Sequence, residues 1–256
     1  MMTALALVLA LQDLKWKLAA GEELSYEHVV EQSLKIVSDG RSFEYKQKVE
    51  IAERVVVDRE TLEGRFDLRA TTTRLRVTID GRVLFDSDAP ATSRADLGRD
   101  VGREQRLTVT PAGRLVGRRS AGIQERLQQT LAGRAPSDDP APPLCLAVLP
   151  LPEDGARSWK VNESEENADG VRLSTATDLR LEGQAVRGDI ALTLEKAPAT
   201  MRLREGSGTQ RATFDGVLRE SESRFVVSME NAARGQSVRV TTDLKSTTTL
   251  KDRVRK

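Results

Sequence analysis

The chain has 256 residues, with 40 basic against 39 acidic side chains and a formal net charge of +1. Its 30 Arg and 10 Lys are scattered rather than gathered into a stripe, and nine aromatics are few for stacking bases, so nucleic acid is not an expected partner. One histidine and a single cysteine, Cys145, rule out an internal disulfide framework and an ordinary zinc or copper site, and no cofactor is expected.

Residues 1–12 carry no charge and are too short to span a bilayer. They read as the apolar core of an export signal, with Val8-Leu9-Ala10 as a small-residue cleavage site. The expected location is therefore the periplasm, the cell envelope or the exterior, and no later segment reaches membrane length. After it a strand pattern opens at Leu14–Leu18, turns at Ala20-Gly21, and enters a strict two-residue alternation from Leu24 to Ile36. Such a beat places one face of a β-strand in the core and the other in water. Asp39-Gly40 supplies a hairpin turn into a second alternating run, Phe43–Val57. At ~3.3 Å per residue, strands of this length reach ~50 Å, and they must twist and coil rather than lie flat.

A third run has Phe66, Leu68 and Ala70 in one phase and Leu75, Val77 and Ile79 in the other. The slip within Thr71-Thr72-Thr73 predicts a β-bulge that keeps the apolar face inward. Asp80-Gly81 turns into Val83-Leu84-Phe85, residues 86–103 lose the beat and read as an exposed excursion, and sheet resumes at Arg106–Thr110 and, after Pro111-Ala112-Gly113, at Arg114–Val116. Ser120 then caps a short helix carrying Ile123, Leu127 and Leu131 four apart, with Gly133 at its exit. A proline-rich linker, residues 135–143, leads to the apolar run Leu144–Pro152. The second series of strands begins at Trp159 and runs through 171–181, 190–194, 209–218, 225–229 and 238–244, with Gly206-Ser207-Gly208 read as a hairpin turn.

The predicted fold class is all-β and mainly antiparallel, with long curved strands in one or two half-barrel-like sheets and a single mid-chain helix. Its parts are a signal-like segment 1–12, a first β half 13–118, the helix 119–134, linker and apolar segment 135–152, and a second β half 153–256. Three motifs, Trp16 through Gly21 to Tyr26, Leu107–Leu115, and Leu149-Pro150-Leu151-Pro152 leading to Gly155 and Trp159, resemble an uncharacterised family of bacterial secreted β proteins and lipoproteins. In such proteins the glycine usually stands closer to the tryptophan. The resemblance implies an exported β protein of unknown activity and carries over no catalytic residue. At the level of fold alone, the chain is similar to periplasmic lipoprotein carriers, whose curved sheet wraps a helix around an apolar cavity.

Catalytic chemistry finds little support. A Cys145–His28 dyad is disfavoured because Cys145 lies in an apolar run where burial makes a thiol inert. Carboxylates are plentiful, but Glu50, Glu60, Glu163, Glu165 and Glu166 read as outer-face, turn or strand-end residues. The candidate ligand-binding residues are Trp16, Tyr26, His28, Tyr45 and Trp159. His28 falls on the apolar face, where a hydrogen-bonded core histidine is the ordinary reading and ligand contact in a cavity the other. The two tryptophans open strand series, where half-buried packing is the commoner role and a binding rim the rarer one. The expected function is non-enzymatic binding of a lipid or other apolar or amphipathic ligand on a concave sheet face. The alternatives are a structural or protein-interaction module of the envelope and a carboxylate hydrolase.

Overall fold

The computed structural model describes residues 14–89, 95–99, 101–116, 144–147, 149–152, 156–166, 170–233 and 236–255. The signal-like segment, the helix expected at 120–133 and the linker at 135–143 lie outside them. In chain order the strands are β1 (Glu23–Ser38), β2 (Arg41–Glu60), β3 (Phe66–Ile79), β4 (Arg82–Asp86), β5 (Glu104–Val109), β6 (Ser158–Glu166), β7 (Arg172–Glu182), β8 (Ala185–Lys196), β9 (Met201–Phe214), β10 (Leu218–Ala233) and β11 (Gln236–Val254). A 3-10 turn (Ala95–Gly98) and one helical turn, α1 (Leu144–Ala147), are the helical elements among the described residues.

All the strands belong to one antiparallel sheet in the order β4-β3-β2-β1-β11-β10-β9-β8-β7-β6, with β5 also on the edge of β3. The sheet consists of two meanders, β1–β4 and β6–β11, joined where the first strand pairs with the last from Glu23↔Val254 to Ser38↔Val238. The turns follow from the sequence. Asp39-Gly40 and Asp80-Gly81 all take positive φ, the conformation a two-residue hairpin needs to match strand twist. The expected slip is present: Ala52 pairs with Arg74 and Glu53 with Thr72, leaving Thr73 as the extra residue of a bulge.

The core lies at one end of these strands and contains residues of both meanders. Leu68 on β3 and Val186 on β8 share it, although they stand six strand positions apart, about 29 Å on a flat sheet. Two thin chain segments fill the space between, one with Leu14, Trp16 and Leu18 and the other with Cys145, Leu146, Leu149 and Leu151, so the sheet must curl around them. The first of these is not the strand its alternation predicts. It is an extended bar with no ladder of its own: Trp16 N–H donates to Pro111 O (2.8 Å) and Lys17 N–H to Gly216 O (2.7 Å), one bond to each meander. Leu14, Trp16 and Leu18 are thereby inserted into the core.

A second cluster lies further along β1–β3, where Val30, Val49, Ile51, Leu75 and Val77 pack with Phe85 and Leu97. Within the stretch 86–103, expected to be an exposed excursion, the 3-10 turn Ala95–Gly98 instead buries Leu97 in the cluster with Phe85. Another correction concerns Gly206-Ser207-Gly208, which lies within β9 and not in a turn. A Cβ on Gly208 would come within 2.7 Å of the Phe225 ring and closer still to the Arg224 carbonyl, so the glycine makes room for the neighbouring strand. The strand run expected at 209–218 is accordingly split, β9 ending at Phe214 and β10 starting at Leu218.

Candidate functional site

Three regions carry the chemistry of the molecule. The first is a buried polar row between the two apolar clusters. Register places His28 (β1), Thr248 (β11) and Ser221 (β10) side by side on the inward face. His28 Nδ1 lies 3.0 Å from Thr248 Oγ1, and its Nε2 lies 3.4 Å from Glu53 Oε2. The second contact is long for a hydrogen bond and is better described as an ion-pair approach. Glu53 also accepts the Cys145 N–H at 3.5 Å, which ties α1 to the sheet.

Hydroxyl, imidazole and carboxylate thus stand in a line, as in a nucleophile relay. Yet Thr248, His28 and Glu53 are only 1%, 2% and 6% exposed, so the line is sealed from any substrate. Burial first, and then the neighbouring Glu53 carboxylate, pushes the Cys145 thiol up, which keeps it protonated and unreactive. Glu53 was the residue that sequence reasoning missed. Its signal was present, since it keeps the apolar phase of β2 between Ile51 and Val55.

The second region is the closing end of the curl. Glu22 is fully buried, and its carboxylate accepts the Ala19 N–H (2.9 Å), Arg253 Nε (2.5 Å) and Arg255 Nε (2.9 Å). Burial works to raise this carboxyl, but the two guanidiniums and the N–H outweigh it and hold Glu22 below the usual carboxylate range. All three resemblance motifs gather at this end. Besides the Trp16–Pro111 bond, Gly113, at φ +80°, lies so close to the Trp16 ring that a Cβ there would stand 2.6 Å from Nε1. Trp159 Nε1 donates to Pro150 O (2.9 Å). These motifs assemble the packed core.

The third region is the far half of the same inward face, where the strands run on past both clusters. Leu34, Ile36, Tyr45, Val227, Met229 and Val240 continue the apolar rows across β2, β1, β11 and β10. They are half-buried, and Phe43 is 63% exposed. None of them belongs to either cluster or is packed against one. The opposite face of these strands is polar and carries a groove of about 660 Å³ lined by Glu31, Lys46, Lys48, Arg224, Asp243 and Lys245 among others. Most of its charges are already matched in cross-strand pairs, Arg224 with Asp243 and Lys245 with Glu222.

The structure therefore separates the five candidate residues. Trp16, Tyr26 and His28 are packed in the interior, with the Tyr26 hydroxyl donating to Leu218 O (3.0 Å). Trp159 is half-buried against the core. Tyr45 alone belongs to the open apolar face.

No family model matches the chain, and no curated protein matches it. Among solved structures, a mutant porin from Rh. blastica is similar at 9% identity and a TM-score of 0.21, over 89% of this chain and 99% of the porin. A DUF1329 family protein from Desulfovibrio piger is similar at 11% identity and a TM-score of 0.15, over 87% of this chain and 84% of its own. Scores this low transfer neither fold nor function. Among the described residues no helix is long and apolar enough to cross a membrane.

Proposed function

We propose that this is an exported envelope protein without enzymatic activity that holds an apolar or amphipathic ligand on the far half of its inward face. The observation that carries the reading is the continuation of the apolar rows beyond both clusters, with Leu34, Ile36, Tyr45, Val227, Met229 and Val240 half-exposed and packed against neither. The open patch on β2, β1, β11 and β10 measures roughly 20 Å each way, about 400 Å². That is a size at which exposed apolar surface is commonly functional, and it is about half of what one partner of a stable dimer buries. A lipid fits it better than a protein face does. The sealed Thr248–His28–Glu53 line and the protonated Cys145 support a surface that holds over one that transforms.

The test is extraction of protein purified from its native host with organic solvent, together with uptake of an apolar fluorescent probe by delipidated protein. Bound lipid, with probe uptake that Leu34→Glu abolishes, is the expected result. Absence of both overturns the reading.

The alternative, an interaction module that pairs through sheet edges, has one observation behind it: among the described residues, β6 pairs only with β7. Its edge carries Lys160 and Glu163, the kind of charges that discourage strand addition. A stoichiometric protein partner recovered from envelope fractions, with no small ligand, would favour this alternative.

A further inference from the structure

We propose that the ligand of the open face is an anionic phospholipid, its chains lying along the strands and its phosphate held at the hairpin tip by Arg41; this rests on the reading above. Register places Arg41 opposite Ser38, one inward row beyond that of Phe43, Ile36 and Val240 and next to the hairpin turn. Beyond the two clusters, the described inward positions of β2, β1, β11, β10 and β9 are otherwise apolar or neutral. Arg41 is the one charged side chain among them, and no carboxylate shares those rows. Asp39, its nearest acidic neighbour in sequence, belongs to the hairpin turn and not to a ladder row.

Arg41 is exposed and has no acidic partner among the described residues, whereas on the opposite face Arg54, Arg69 and Arg224 are each engaged by carboxylates. An unmatched guanidinium at the rim of an apolar face complements a molecule with a long apolar body and one anionic end, and its fork of donors suits phosphate oxygens. Ser38, also on the rim, adds a hydroxyl donor. The face gives about 20 Å along the strands and a similar width, room for two acyl chains side by side.

The test uses the delipidated full chain and calorimetric titration with short-chain phosphatidylglycerol and phosphatidylcholine of equal chain length, both below the concentration at which they form micelles. Wild type is expected to bind the anionic lipid up to about fivefold more tightly, the range of one exposed ion pair. Arg41→Gln is expected to remove that preference, weakening the anionic lipid more than phosphatidylcholine, whose choline already offsets its phosphate charge. Equal affinities in wild type, or a preference that survives in Arg41→Gln, would overturn the role of Arg41 while leaving a neutral apolar ligand in place. Failure of both lipids to bind would overturn the ligand reading as well.

Discussion

The two ends of the same strands do different work. At the closing end, β1, β2, β9 and β10 put Tyr26, Val55, Phe214 and Leu218 into a core plugged by residues 14–18, 145–147 and 149–151. At the far end the alternation continues unchanged, yet among the described residues Leu34, Tyr45, Met229 and Val240 are packed against neither cluster. Periodicity therefore establishes that a face is apolar, and only the chain that returns across it decides whether that face becomes core. The difference also explains why the tryptophans mark stability here: each is fixed by a backbone contact at the closing end.

Substitutions can break this contrast, and the largest effect belongs to the plug. Trp16→Ala should cost about 3–5 kcal/mol in chemical denaturation, as expected for a large buried side chain, and an undiminished midpoint would show that residues 14–18 are dispensable. Glu22→Gln should cost about 2–3 kcal/mol at neutral pH through its charge-assisted bonds to Arg253 and Arg255. Because folding lowers the pKa of Glu22, its contribution is full above the ordinary carboxylate value and is lost as pH falls through the lowered one. The gap in melting temperature between Glu22→Gln and wild type should therefore close in acid, and a gap constant down to low pH would contradict the arrangement.

Thr248→Val should cost about 1–2 kcal/mol by leaving His28 Nδ1 without its partner, read from the same denaturation curves. The smallest effect belongs to the open face. Ile36→Ser should change stability by less than about 1 kcal/mol while weakening probe uptake, since a half-buried residue loses little apolar contact. If Ile36→Ser destabilised as much as Trp16→Ala, the two ends would not differ.

The sheet was largely legible because its signals are local. The beat of Leu24–Ile36, the paired Asp-Gly turns and the phase slip at Thr71–Thr73 each depend on a few adjacent residues and on φ preferences that hold in any context. What depended on distant partners was not legible. Leu14–Leu18 alternates like a strand but has no strand beside it, because its hydrogen bonds go to Pro111 and Gly216. Gly206 and Gly208 look like a turn until Leu192 and Phe225 are seen to occupy the space their side chains would need. His28 was rightly placed on the apolar face, while its partners Glu53 and Thr248 come from 25 and 220 positions along the chain.

The pairing of the first strand with the last has a kinetic consequence. Each meander can zip from its own hairpins, but the β1–β11 seam joins residues two hundred or more positions apart, and loops of that size close late. The curled core includes residues from both sides of the seam, so the chain cannot complete it until its final strand is available. Folding should show a fast phase for the separate meanders and a slow one for their union, and truncation within β11 should remove the slow phase along with the cooperativity of unfolding.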